Sequence, residues 1–203
     1  MKIICVGRNY NEHIEELNNN FPNEILFFLK PETAIPIKNQ PFFIPDFSNE
    51  IHHEIELIIK INKTGKHIDE LYAPNYYNEI SLGIDFTARD VQKQLKKNQE
   101  PWEKAKAFDG SAAVGDFVNK SEFKDIQNIN FKLLVNNQIK QSGNTKNMIF
   151  SINKIVSYIS KYITLKKGDL IFTGTPSGVD KIHKNDILQG FIGEKKILEI
   201  KIK

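Results

Sequence analysis

The 203-residue chain has one cysteine, one tryptophan, two methionines and two arginines, and each scarcity narrows what it can be. A lone Cys5 excludes an internal disulfide and has no second thiol nearby for a metal motif. It falls in residues 2–6, which read as a strand, so a buried core thiol is expected rather than a nucleophile. No apolar run approaches the ~20 residues of a membrane span. Residues 1–6 are too short for a signal-peptide core and lead into Gly7-Arg8 rather than a cleavage site. No membrane partner is expected, and a cytoplasmic location is. Net charge is only +3 and the lysines are scattered rather than gathered beside aromatics, so nucleic acid is not an expected partner. Arg8 and Arg89 stand out in a chain that otherwise takes its positive charge from lysine. A planar guanidinium can grip a carboxylate with two hydrogen bonds, which marks both as candidate substrate contacts. There is no internal repeat, linker or low-complexity tract. With 40% hydrophobic and 26% charged residues, the chain is expected to form one domain over residues 1–203.

What is present is a strand pattern carrying acids. His52-His53-Glu54-Ile55-Glu56-Leu57-Ile58-Ile59-Lys60-Ile61 alternates with the two-residue period of a strand, so Glu54 and Glu56 share a face opposite Ile55, Leu57, Ile59 and Ile61. Two like charges so close require protonation, hydration or a cation between them; a hydrated strand face is one solution and a metal is another. Residues 80–86 alternate again and put Asp85 at the strand's C-terminal end. Thr87-Ala88-Arg89-Asp90 then reads as a helix start, with Val91 and Leu95 as an i,i+4 apolar pair. If the two strands are neighbours, Glu54, Glu56 and Asp85 form an all-oxygen site suited to Mg²⁺, Mn²⁺ or Ca²⁺, with room for a chelating substrate.

These segments resemble the metal-site segments of the fumarylacetoacetate hydrolase superfamily. Further matches occur in the family's order: Gly7-Arg8-Asn9-Tyr10 with His13 and Glu16; Phe28-Leu29-Lys30-Pro31; Lys106-Ala107-Phe108-Asp109; and Thr173-Gly174-Thr175-Pro176-Ser177-Gly178-Val179. The likeness runs from near the N-terminus to Val179 and is nearest to the small acylpyruvate hydrolase and oxaloacetate decarboxylase-like enzymes. It implies an α+β, mostly β fold, a mixed β-sandwich roll with a few short helices, and a homodimer. It implies that Glu54, Glu56 and Asp85 hold Mg²⁺ or Mn²⁺, with Ca²⁺ as a possible substitute. A small 2-oxo acid would then lose a C–C bond through an enolate. His13 and Glu16, at i,i+3 on a short helix, would be a water-activating pair, and Lys106 a cation for the enolate charge. Arg8, Lys30, Arg89, Gln92 and Thr175 would contact substrate. On the residues alone, Lys30 can also be a solvated strand end, Gln92 an exposed helix residue and residues 174–178 a plain turn. Isomerisation of a 2-hydroxy-dienoate or tautomerisation of a 2-oxo acid uses the same chelate, and a non-catalytic metal-binding dimer is a rival of another class.

Elsewhere, residues 25–30 read as a strand, and Asn9 or Asn11 as the cap of the helix across His13. The loop at 18–22 reads as a lid, and a short strand is expected around residues 42–44. A hairpin turns at Asn136-Asn137, residues 151–162 form an amphipathic helix, and residues 187–202 form a closing hairpin.

Overall fold

Apolar alternation, interrupted by acids and by turn residues, builds three sheets in the computed structural model, which describes residues 1–18, 20–37 and 40–203. In chain order the strands are β1 (Ile3–Gly7), β2 (Leu26–Lys30), β3 (Ile51–His53), β4 (Ile55–Ile61), β5 (Tyr77–Asp85), β6 (Thr87–Ala88) and β7 (Ala112–Val114). There follow β8 (Val118–Asn119), β9 (Asn130–Val135), β10 (Gln138–Asn144), β11 (Leu170–Phe172), β12 (Asp180–Lys181), β13 (Ile187–Ile192) and β14 (Lys195–Lys201). The α-helices are α1 (Asn11–Glu16), α2 (Arg89–Asn98), α3 (Glu103–Lys106) and α4 (Ile152–Tyr162). The fold is α+β and mostly β. No helix among the described residues is long and apolar enough to cross a membrane.

The first sheet runs β2-β1-β11-β4-β5-β7, with β8 also on β5. It is mixed, because β1 and β11 are parallel while its other pairs are antiparallel. The second sheet, β10-β9-β13-β14, is antiparallel, and a small third one runs β12-β3-β6. The two larger sheets meet closely where Gly190 of β13 faces Ile55 and Leu82: a Cβ there would stand 3.3 Å from both side chains. Leu57, Ile59, Leu82, Leu133 and Leu188 are fully buried in the core between them. α4 lays Ile152, Ile155, Val156 and Ile159 into the same core, as its spacing predicts, and Ser151 caps it by accepting from the Lys154 N–H.

Several local expectations need correction. The stretch expected as one strand over 52–61 is broken at Glu54, where the chain leaves the third sheet and enters the first. Glu54 and Glu56 are both buried, so the acids at the start of β4 do not form a hydrated face. α2 begins at Arg89 without a side-chain cap. Thr87 lies in β6, which pairs with β3, and the Arg89 N–H bonds to Glu50 O at 2.7 Å. α1 is not capped by asparagine either, since its N-cap is Tyr10. Asn9 is instead fully buried: its amide donates to Thr173 O (2.8 Å) and Phe150 O (3.1 Å), and its Oδ1 accepts from the Phe150 N–H (2.8 Å). Residues 42–44 form only an isolated bridge from Phe42 to Ile202, in a segment where Pro41 and Pro45 remove two ladder donors. The hairpin at Asn136-Asn137 is present with both residues at positive φ, 50° and 65°. That is the left-handed pair a tight two-residue turn requires. The lid expected at 18–22 includes residue 19, outside the described residues.

Candidate active site

The site forms where β4 and β5 begin and end side by side. Their antiparallel register sets Glu56 opposite Gly83 and Ile55 opposite Ile84, so the start of β4 meets the C-terminal end of β5. The Asp85 N–H donates to Glu54 O at 2.9 Å, which fixes the third acid beside the first two. Gly83 cannot carry a side chain: a Cβ would fall 2.3 Å from Ile58 Cδ1 and 2.6 Å from Ala113 O. One carboxylate oxygen from each of Glu54, Glu56 and Asp85 lies within 4.8 Å of the other two, and all three residues are buried.

Three cations are built into the same volume. Lys106, from α3, places Nζ 2.8 Å from Glu54 Oε2, 2.8 Å from Asp85 Oδ2 and 2.5 Å from Thr87 Oγ1. Lys30, from the end of β2, stands 2.7 Å from Asp85 Oδ1 as an ion pair. It donates hydrogen bonds to Ser111 O (2.7 Å) and Oγ (3.1 Å), while Asp85 Oδ1 itself accepts no hydrogen bond. Arg89 pairs through Nη2 with Glu54 Oε1 and donates from Nη1 to Gln92 Oε1 at 2.7 Å. Burial alone would raise the Glu54 carboxyl, but Lys106 and Arg89 outweigh it and hold it well below the usual range. Lys106 is likewise pulled down by burial and raised overall by Asp85 and Glu54.

Glu56 is the exception. Its Oε2 accepts from the Gly174 N–H at 2.7 Å, and it forms no ion pair among the described residues. Burial first, and then the charges of Asp85 and Glu54, push its carboxyl well above the usual range. For a buried acid beside two others, with no cation of its own, a positive charge joining the group favours the ionised form. The all-oxygen donor set and this unmatched acid fit a hard divalent cation. Glu54, Glu56 and Asp85 are the residues able to hold it.

Around the acids, a cavity of about 40 Å³ is lined by Arg8, His13, Phe28, Arg89, Gln92, Lys96, Trp102, Lys106 and Thr175, among others. That is the scale of a water or two. His13 Nδ1 lies 3.2 Å from Glu16 Oε2, and Glu16 Oε1 accepts from the Gly178 N–H at 2.9 Å. Burial would raise the Glu16 carboxyl; His13 and the Gly178 N–H lower it overall. Of the residues expected near a substrate, Arg8, Arg89, Gln92 and Thr175 reach the cavity wall. Lys30 does not: fully buried, it stands against Asp85. Lys104, beside Lys106 in sequence, is exposed.

Sequence reasoning missed Gln141, Asn9 and Lys96. Gln141 accepts at Oε1 from the Ile55 N–H (3.0 Å) and meets His53 Nδ1 (2.9 Å), and its amide donates to Thr175 Oγ1 and Pro176 O, both at 2.9 Å. It therefore ties β4 to the loop at 174–178. A register shift between Ile139 and Gln141 accompanies its burial, and no local sequence signal announces such a bulge. Asn9 does similar work on the other side of that loop: a Cβ on Gly174 (φ +99°) would lie 2.7 Å from Asn9 Cβ. Lys96 was findable, since Arg89, Gln92 and Lys96 are spaced i, i+3, i+7 on α2.

The mostly β fold thus brings three acids and a buried ammonium into one site whose oxygens could hold a hard cation. The chain belongs to the family described as fumarylacetoacetate (FAA) hydrolase C-terminal, whose profile it matches over residues 2–202. It is 42% identical over 201 residues to the mitochondrial oxaloacetate tautomerase of Bos taurus, covering 99% of this chain and 90% of that one. To the oxaloacetate tautomerase YcgM of Escherichia coli it is 42% identical over 188 residues, covering 92% and 86%. Its fold is similar to that of fumarylpyruvate hydrolase from Pseudomonas aeruginosa in complex with Mn²⁺ and pyruvate. The TM-score is 0.93 at 31% identity, with 100% of this chain and 89% of that one covered. The chain is thus an enzyme of this family, not a silent metal-binding scaffold.

Proposed function

We propose that the protein carries out a divalent-metal-dependent reaction of a small 2-oxo acid through an enolate, cleaving a C–C bond by decarboxylation of oxaloacetate or hydrolysis of an acylpyruvate. One observation carries this reading. Three buried carboxylates with oxygens within 4.8 Å of one another share a cavity with the Lys106 ammonium and with His13, itself paired to Glu16. Bound to Glu54, Glu56 and Asp85, Mg²⁺ or Mn²⁺ supplies a Lewis acid for the charge that develops on the keto oxygen, and Ca²⁺ suits the oxygen set as a substitute. Lys106 adds a second positive charge for that same oxygen in a buried site. Glu16 keeps the imidazole proton on His13 Nδ1, which leaves Nε2 as the base. In hydrolysis, Nε2 takes a proton from the water that attacks the distal carbonyl. Decarboxylation needs no such water. Arg89, Gln92, Arg8 and Thr175 orient the acid, while Lys30 acts one step back by fixing Asp85. The activities carried in the names of the relatives, on oxaloacetate and on fumarylpyruvate, support the same substrate class.

A second reading, tautomerisation of a 2-oxo acid, is favoured by the base at the cavity wall: His13 removes a proton next to the keto group and returns one, with no bond between carbons broken. Turnover of oxaloacetate and of acylpyruvates, with Mg²⁺ or Mn²⁺ and with chelator, tests the proposal, and product analysis separates the two readings. Absence of metal-dependent turnover of any 2-oxo acid refutes both. We further propose one catalytic domain over residues 1–203, a homodimer and a cytoplasmic location; light scattering tests the dimer.

A further inference from the structure

The side-chain amide of Gln141 fixes which way a chain of buried hydrogen bonds runs. Its Oε1 faces the Ile55 N–H at 3.0 Å, which can only donate, and its Nε2 faces Pro176 O at 2.9 Å, which can only accept, so the amide has a single orientation. Two further polarities follow from it. His53 Nδ1, 2.9 Å from Oε1, carries its proton there, and Thr175 Oγ1, 2.9 Å from Nε2, accepts. All three side chains are buried. The proton of the Thr175 hydroxyl then needs an acceptor of its own. Among the described residues the one oxygen it meets is Pro176 O at 3.5 Å, the limit of a hydrogen bond, and that carbonyl already takes the Gln141 amide. Thr175 lines the cavity that holds the three acids, and the N–H of the preceding Gly174 donates to Glu56 Oε2 at 2.7 Å, which sets the hydroxyl at the acids' end of it. A hydroxyl that accepts one hydrogen bond is polarised into a stronger donor of the next.

We propose that Gln141 is a positioning residue: by donating to Thr175 Oγ1 it holds that hydroxyl as a donor to the cavity, where its proton meets an acceptor-only carboxylate oxygen of the bound acid. This rests on the 2-oxo acid reading above and adds to it the residue that sets the polarity of one substrate contact. Gln141 itself touches no substrate. It acts through Thr175, while His53 and the Ile55 N–H, between Glu54 and Glu56 in sequence, hold its amide from the other side.

The test is a double-mutant cycle on the Mn²⁺-loaded protein, read by calorimetry with oxalate and by the kcat and KM of oxaloacetate turnover. Thr175→Val removes the hydroxyl at nearly constant shape and is expected to weaken oxalate about tenfold or more and to raise KM alike, with kcat changing far less. Thr175→Ser keeps the donor and is expected to stay within about threefold. Gln141→Met frees the hydroxyl to turn away and is expected to weaken oxalate about fivefold, whereas in the Thr175→Val background the same change is expected to cost less than about twofold. An equal cost in both backgrounds makes Gln141 a structural residue only and overturns the proposal, as does an unmoved oxalate affinity in Thr175→Val. If Gln141→Met does not fold, nitrogen NMR of the His53 ring in the unsubstituted protein at about pH 8 decides together with the two Thr175 variants. A proton on Nδ1 supports the direction of the chain, and a proton on Nε2 alone overturns it. Each of these failures leaves the parent reading standing. A loaded, unsubstituted protein that neither binds oxalate nor turns over oxaloacetate overturns both.

Discussion

Replacing Lys106 with methionine removes a buried ammonium and leaves the shape of its stem. Nζ has 2.8 Å contacts to both Glu54 and Asp85, so the variant strands the oxygens those contacts served, with Glu54 keeping only Arg89 and Asp85 only Lys30, in a site from which water is largely excluded. Removing one member of a buried ion pair costs about 3–5 kcal/mol. Protonation caps the loss: neutralising a carboxyl at pH 7, roughly three units above its ordinary range, costs about 4 kcal/mol. The metal-free variant should therefore lose about 3–4 kcal/mol at pH 7, or roughly 10 °C in Tm for a chain of this size. The sign with pH follows. The stranded acid has its folded pKa raised above the unfolded value, so the penalty is absent below the unfolded value and grows as pH rises above it. At pH 5 the cap is only about 1 kcal/mol, and the gap in Tm should narrow accordingly. A divalent cation restores positive charge to the same oxygens and meets one like charge fewer, so Mn²⁺ should raise Tm further in the variant and bind it about tenfold more tightly or better. Turnover should fall despite the tighter metal. Melting curves with and without Mn²⁺ at the two pH values are the assay. A variant that melts within about 2 °C of the unsubstituted protein at pH 7, or gains no more from Mn²⁺, refutes the reasoning.

Glu16→Gln should leave Mn²⁺ binding intact by calorimetry while lowering acylpyruvate hydrolysis about 100-fold, because the amide has one acceptor oxygen where the carboxylate uses two, for His13 and for the Gly178 N–H, and has no charge to support the imidazole; decarboxylation of oxaloacetate should suffer much less. Gly83→Ala should destabilise the protein by about 1–3 kcal/mol in urea unfolding and weaken metal binding, since its Cβ collides with Ile58 and with the Ala113 carbonyl two residues from Asp85. Ile155→Ala, in the fully buried stripe of α4, should cost about 2–5 kcal/mol with KM unchanged. Asp90 accepts from the Asn49 and Val91 N–H groups, both at 2.8 Å, and from the Ser48 hydroxyl. Burial would raise its carboxyl, but these bonds hold it below the usual range. Its contribution to stability is thus present above the ordinary aspartate value and is lost as pH falls through the lower folded one. Asp90→Asn should flatten that acid limb in denaturant titrations.

Strand alternation made the site's acids legible, because a period of two fixes which side chains share a face, and the helical stripe of α4 was legible for the same reason at its own period. What alternation cannot report is the environment of each face. The side of β4 that carries Glu56 is buried like the apolar one, and the site's acids are balanced by lysines brought from β2 and α3, Lys30 on Asp85 and Lys106 on Glu54, more than 50 residues distant in sequence. Helix starts were misread at Asn9 and Thr87 because a capping residue is only a local option. Asn9 gains three bonds to segments at 150 and 173, and Thr87 accepts from Lys106, so tertiary partners took both side chains. Gln141 had no local signature, since its inward turn depends on a register shift in β10.

The charge arrangement also separates the folding of this protein from its metal. A structural ion site is a cluster of like charges that cannot close until the ion binds. Here Glu54 and Asp85 are held by Lys30, Lys106 and Arg89, and Glu56 is held by the Gly174 N–H, with burial and the neighbouring acids pushing its carboxyl above the usual range. The core of β4, β5 and β13 can therefore assemble without any ion, around a centre where three acids already face three cations. Metal binding then asks for little rearrangement of the backbone, whose N–H groups already fix Asp85 against Glu54 and Glu56 against Gly174. Such an ion is added to a finished site and leaves it more positive than before, which is the electrostatic condition for drawing in a small anionic acid. Chelation should consequently abolish turnover while leaving far-ultraviolet circular dichroism unchanged and lowering Tm only by the mass-action term for the lost ion. A protein that unfolds when the metal is stripped would contradict this account, because it would make the cation part of the core.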